Sequence, residues 1–126
     1  MDIDKILELF CLISGLSSDA ANTQKIFCEN SLSNITENLK LNANTTQYDA
    51  RLNFLAAALA YYEYKLFEVS REEVAITDTS NIVNLASSIF NEKKIELLAI
   101  HTACKMSISQ CESVLQDKNF LVLSIL

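Results

Sequence analysis

The chain has 126 residues, half of them apolar and 21% charged, which fits one domain with a buried core and excludes a disordered tail. One glycine, Gly15, and no proline exclude collagen-like repeats and glycine-rich phosphate loops and disfavour turn-rich sandwiches and barrels. Sixteen acidic against ten basic residues give a net charge of −6, a sign that repels a phosphate backbone and speaks against nucleic-acid recognition.

The first predicted helix covers residues 2–14. Asp2 or Asp4 can cap it, and Leu7, Phe10, Cys11 and Ser14 continue a face begun by Ile3. Gly15 enters the left-handed conformation without a Cβ clash, so it should end the helix. After a turn at Leu16-Ser17-Ser18, Ser18 or Asp19 caps a second helix that reaches Leu39 or Leu41. Its stripe is Ile26 or Phe27 with Cys28, then Leu32, Ile35 and Leu39, with a bend at Asn30-Ser31. Asn42 to Thr45 is a polar loop.

The third predicted helix, residues 46–69, has the strongest pattern. Leu52, Leu55, Leu59, Tyr62, Leu66 and Val69 recur at three- and four-residue steps. Phe54, Ala58 and Tyr61 add a second stripe, so the middle is apolar nearly all round, as in the central helix of a bundle. Ala56, Ala57, Ala58 and Ala60 let neighbouring backbones approach closely. Tyr61, Tyr62 and Tyr64 put polar tips at the edge of that core.

Val74-Ala75-Ile76-Thr77 is too short for a helix of its own and β-branched enough for a strand. Asp78 or Ser80 then caps a fourth helix over residues 81–115. Its stripe is Val83, Ala86, Phe90, Leu97, His101, Cys104, Ile108, Cys111 and Leu115, interrupted at Lys94 by a kink or a change of burial. The chain ends on an apolar run from Phe120 to Leu126 that reads as a strand. Water is a poor environment for such a run, so it should pair with residues 74–77 or with a neighbouring subunit. The expected fold is mainly α: a compact four-helix bundle with a central Ala-rich helix and a small two-stranded β element near residues 73–77 and 119–125. One domain spans 1–126, with a C-terminal arm at 119–126. The candidate interaction residues are Val74, Ile76, Phe120, Val122, Leu123 and Ile125.

The longest apolar run, Phe54 to Tyr62, is about half of what a membrane-spanning helix needs. The acidic opening MDIDKILELF lacks the basic region and small-residue cleavage site of a secretory signal. Cys11, Cys28, Cys104 and Cys111 sit among apolar neighbours with no CxxC spacing, and are expected to be reduced packing residues. His101, Cys104 and Cys111 share one helical stripe and could hold zinc with Cys11 or Cys28. Core packing is the favoured reading, because the tight local pair of ligands that zinc sites use is only half present. His101 as base for a Cys104 nucleophile lacks an oxyanion hole nearby. A di-iron site needs Glu-x-x-His, and the residue three before His101 is Leu98. No catalytic set, metal or cofactor is therefore expected.

The segment RLNFLAAALAYYEYKL (Arg51 to Leu66) is preceded by LISGLSSDAANTQ (Leu12 to Gln24) and followed by a short strand, a long helix and a DKNFLVL ending. In this order the chain resembles the small head–tail connector (neck or adaptor) proteins of tailed bacteriophages, prophages and phage-tail-like particles. That resemblance covers about residues 10–126 and implies a non-enzymatic virion component, assembled in the bacterial host cytoplasm. It further implies a ring of copies contacting the portal and tail-side neck proteins, with no membrane or nucleic-acid sequence recognition. The other reading is a cytoplasmic helical protein-binding module, a small regulator or assembly chaperone.

Overall fold

The computed structural model describes residues 1–77 and 83–116, with side chains over 1–71 and 92–116. The described residues are mainly helical: α1 (Ile3–Ser14), α2 (Ser18–Thr23), α3 (Lys25–Glu37), α4 (Asp49–Thr77) and α5 (Val83–Gln110), with a 3-10 turn at Thr46–Tyr48.

Local chemistry fixes the first helix at both ends. The Asp2 side chain accepts from the Asp4 N–H, satisfying one of the free donors of the first turn. Gly15 takes φ 73° and donates its N–H to the Cys11 carbonyl, as expected of it. Between these ends α1 buries Ile6 and Phe10, with Ile3 and Leu7 half-buried beside them.

The second predicted helix is two helices. Ser17, one residue earlier than expected, caps α2 by accepting from the Ala20 N–H. The break falls at Gln24, with φ −100° and ψ 15°, and not at Asn30-Ser31. α3 then buries Cys28, Ser31 and Ile35 at helical spacing. Beyond it Leu39 forms an antiparallel bridge with Leu115. Lys40 N–H donates to the Val114 carbonyl and Gln116 N–H to the Asn38 carbonyl, both at 2.8 Å. Asn42 turns the loop at φ 61°, a conformation asparagine tolerates better than most residues.

The expected strand at residues 73–77 is instead the continuation of α4, so Val74 and Ile76 are helical. An established helix adds a residue at little cost, and Val, Ile and Thr give up only a few tenths of a kcal/mol there. With no proline or glycine beyond Gly15 to stop it, the helix runs on through the β-branched stretch. Residues 119–125, the other half of the expected β element, lie outside the described residues. α5 closes at Gln110, short of the expected 115, and residues 111–114 turn the chain toward the bridge.

α4 is the centre. It packs against α1, α3 and α5, and α1 also touches α3. α1 runs parallel to α4: Met1 and Asp2 meet Asp49 and Asn53, while Phe10 lies against Tyr61 and Tyr64. α3 and α5 run antiparallel to it. Phe27 of α3 meets Tyr64 and Phe67, and on α5 Glu96 meets Lys65 and His101 meets Tyr62. From Leu55 to Ala60 every side chain of α4 is buried. Four of those six are alanines, small enough for several helices to close on one backbone. The larger core residues, among them Tyr62, Phe10, Ile6, Ile35 and Leu97, each contribute about 1.5–3 kcal/mol by leaving water.

Candidate functional site

Of the six candidate interaction residues, Val74 and Ile76 lie in the last turns of α4. Phe120, Val122, Leu123 and Ile125 lie outside the described residues. Val74 and Ile76, being helical, do not form one side of the expected strand pair. The structure pairs the segment just before the C-terminal run with a different element, the Asn38–Lys40 stretch behind α3. There Gln116 adds a side-chain bond from its Nε2 to the Leu39 carbonyl at 2.7 Å. Periodicity makes Leu39 the end of a helical stripe, and its bridging role leaves no mark in composition.

The stripe Leu97, His101, Cys104, Ile108, Cys111 and Leu115 is buried as expected, facing α4. His101 is 8% exposed and its ring centroid lies 5.7 Å from that of Tyr62. Burial pushes the Cys104 thiol up to about 12 and, aided by neighbouring Cys11 and Glu29, the Cys28 thiol up to about 11. Burial also raises Cys111, against a lowering pull from Arg51. The cause is the low-dielectric surround, which penalises the thiolate and so favours the inert neutral form. All four cysteines are free thiols. Among the described residues no group of three or more His, Cys, Asp or Glu side chains is placed to hold a metal ion.

Besides Ile26, Leu41 and Phe67, which are exposed elsewhere, two apolar faces stand out among the described residues, and one of them holds Phe54, which the sequence places on the second core stripe with Ala58 but the structure leaves exposed. The first is a groove of about 400 Å³ where the start of α4 meets α1, lined by Leu9, Leu12, Ala50 and Phe54 together with Lys5, Glu8, Asp49 and Asn53. Leu12 is 79% and Phe54 42% exposed. The second is the outward face of α5. Ile95, Leu98 and Met106 are exposed there, on the side away from Leu97, Cys104 and Cys111. Asn53, on the floor of the groove, is 3% exposed, and its Oδ1 accepts from the Asp2 N–H at 3.0 Å. That bond ties the start of α1 to α4.

No protein-family model matches the sequence, and neither the curated proteins nor the solved structures contain a match. Among the described residues no helix is long and apolar enough to cross a membrane.

Proposed function

We propose that the chain is a structural virion subunit of a phage or prophage head–tail junction, assembling through subunit contacts without catalysis. The observation that carries this is uncovered apolar surface on an acidic helical domain: Leu12 and Phe54 at one end of α4, and the outer face of α5. Monomers seldom leave apolar patches open unless a partner covers them. The order of elements that resembles the neck proteins adds to it.

In this reading the protein assembles in the host cytoplasm and joins a ring beneath the portal, in contact with tail-side neck proteins. Phe120, Val122, Leu123 and Ile125 carry a subunit contact, as do Val74 and Ile76, now from helical positions. A ring is a heterologous assembly that closes on itself, so it needs two different faces per subunit. The test is co-sedimentation with purified portal rings. Capture by the rings, lost when residues 120–126 are deleted, is the expected result. A soluble truncated chain that is captured as well as the full chain would refute the assigned contact. A full chain that ignores both portal and tail-side rings would refute the function.

The groove between α1 and α4 favours a second reading, a helical protein-binding module whose apolar slot takes a partner's side chains. In that case the full chain would ignore portal rings, and L12E would abolish capture of its partner helix.

A further inference from the structure

Phe10 of α1 and Phe27 of α3 both press on the ring of Tyr64, with centroids 6.1 and 5.9 Å away. The two helices therefore reach α4 at one level, and in each the next residue is a cysteine, Cys11 and Cys28. α1 and α3 run in opposite directions and touch one another. Handedness then decides where the cysteines point. Each helix turns about 100° per residue in the right-handed sense, and in an antiparallel pair the two turns are opposite as seen along α4. α1 lies against Tyr61 and Tyr64, and α3 against Tyr64 and Phe67. In that order around α4 the opposite turns bring Cys11 and Cys28 toward each other; the reverse order would turn them apart. Burial agrees. Cys28 is fully buried, and Ile3, Leu7, Cys11 and Ser14 are half-covered along one side of α1, while Lys5, Glu8 and Leu12 on the other side are exposed. So do the electrostatics, because charge on Cys11 is among the causes that raise the Cys28 thiol. Cys104 and Cys111 belong to the separate stripe that faces α4 from α5.

We propose that Cys11 and Cys28 form a reversible redox pair, which a hydroperoxide joins into a disulfide that clamps α1 to α3. The half-exposed Cys11 sulfur attacks the peroxide, the O–O bond breaks, and Cys11 becomes a sulfenic acid as one water leaves. The Cys28 sulfur then attacks the Cys11 sulfur. The S–O bond breaks, and the hydroxyl departs with the Cys28 proton as a second water. Two thiols are oxidised and one hydroperoxide is reduced. Access sets the order, since Cys28 is shut off from solvent and takes only the second step. Burial keeps most of it as the neutral thiol, and its place beside Cys11 offsets this through a high effective concentration. A small thiol reverses the bond by attacking the Cys11 sulfur from the solvent side. The bond closes α1, α2 and the start of α3 into one loop, so the unfolded chain loses freedom that the folded one has already given up. This inference does not rest on the virion reading, and its test uses the protein alone.

Hydrogen peroxide is added to the folded full chain, the remaining thiols are alkylated after unfolding, and a tryptic digest is read by mass spectrometry. Cleavage after Lys5, Lys25, Lys40, Lys94, Lys105 and Lys118 puts each cysteine on its own peptide. Peptides 6–25 and 26–40 should appear joined, about 2 Da below their summed mass, and separate on adding dithiothreitol. Cys104 and Cys111 should be recovered alkylated. The oxidised chain should melt about 10 °C higher than the reduced one. This readout needs no variant. In C28A the sulfenic acid on Cys11 has no partner and should go on to sulfinic acid, about 32 Da above the thiol. In C11S, Cys28 should stay a thiol. No joined peptide, a bond between any other pair, or Cys11 joined only to Cys11 of another chain would each overturn the proposal. So would a wild-type Cys11 that reaches sulfinic acid as readily as in C28A, or a disulfide that leaves the melting temperature where it was.

Discussion

Replacing Phe10 by alanine tests the packing on which the central position of α4 depends. Phe10 is fully buried, and its ring meets Tyr61 and Tyr64 edge-on, with centroids 6.5 and 6.1 Å away and interplanar angles of 77° and 81°. Truncating a buried phenylalanine costs about 3–5 kcal/mol through lost transfer energy and the cavity left behind. The two edge-to-face contacts, each contributing ~0.5–1.5 kcal/mol beyond area, place F10A toward the upper end of that range. A domain of this size has about 5–15 kcal/mol in total, so the variant should sit near the edge of folding. Urea unfolding followed by far-UV circular dichroism measures it, and with a slope of about 1–3 kcal/mol per M the midpoint should fall by roughly 2 M. L12A, two residues along and largely exposed, is the control and should change stability by less than about 0.5 kcal/mol. A double-mutant cycle of Phe10 with Tyr64 should return a coupling of about 1 kcal/mol. A loss under about 1 kcal/mol for F10A, or no coupling to Tyr64, would mean that α1 is not held on α4 through this ring.

G15A should cost about 1–2 kcal/mol in thermal or chemical unfolding. The added Cβ meets nothing within 4 Å, so the whole penalty comes from the φ of +73°. S31A should raise stability by up to about 1 kcal/mol, because the Ser31 Oγ is buried without a hydrogen-bond partner among the described residues and alanine removes that orphan group. Alkaline pH should destabilise the fold in a defined window. Cys104 and Cys28 are raised from 9.0 to about 12 and about 11, so below pH 9 both folded and unfolded chains keep these protons. Above it the unfolded chain releases protons that the folded one holds. Stability therefore falls by about 1.4 kcal/mol per pH unit per thiol up to each folded value. Unfolding curves at about pH 8 and pH 10 check this: C104A should lose less between the two than the parent chain, and equal losses would refute the assignment.

Much of the helical layout is legible in the sequence because its signals are local. Gly15 marks a helix end through its freedom at positive φ, and the Leu52-to-Val69 ladder marks a buried helix whatever surrounds it. The departures share a different origin. At Gln24 the break has φ −100° and ψ 15°, a conformation open to any residue, so no glycine or proline signals it. At residues 74–77 four β-branched or small residues read as a strand in isolation, yet the helix already formed behind them decides their state. The Leu39–Leu115 bridge joins residues 76 positions apart in sequence, and such pairing depends on where α3 and α5 stop, which short-range periodicity does not encode.

The interaction surfaces are hidden in the sequence for a related reason. A helix rich in apolar residues contains more than one periodic set, and α5 contains two. The stripe through Leu97, Cys104 and Cys111 and the stripe through Ile95, Ala99 and Met106 are both well formed in the sequence. With the Leu97 stripe assigned to the core, the Ile95 stripe is indistinguishable from the scattered apolar positions that most protein surfaces carry. Packing on α4 breaks the tie. Once Tyr62 meets His101, and Lys65 meets Glu96, the rotation of α5 about its own axis is fixed, and Ile95 and Met106 must point outward. The unsatisfied face is thus a consequence of the satisfied one. Rotating α5 to cover it would expose Cys104 and Leu97, which are now buried, so the packing on α4 keeps the Ile95 stripe outside the core formed by the described residues.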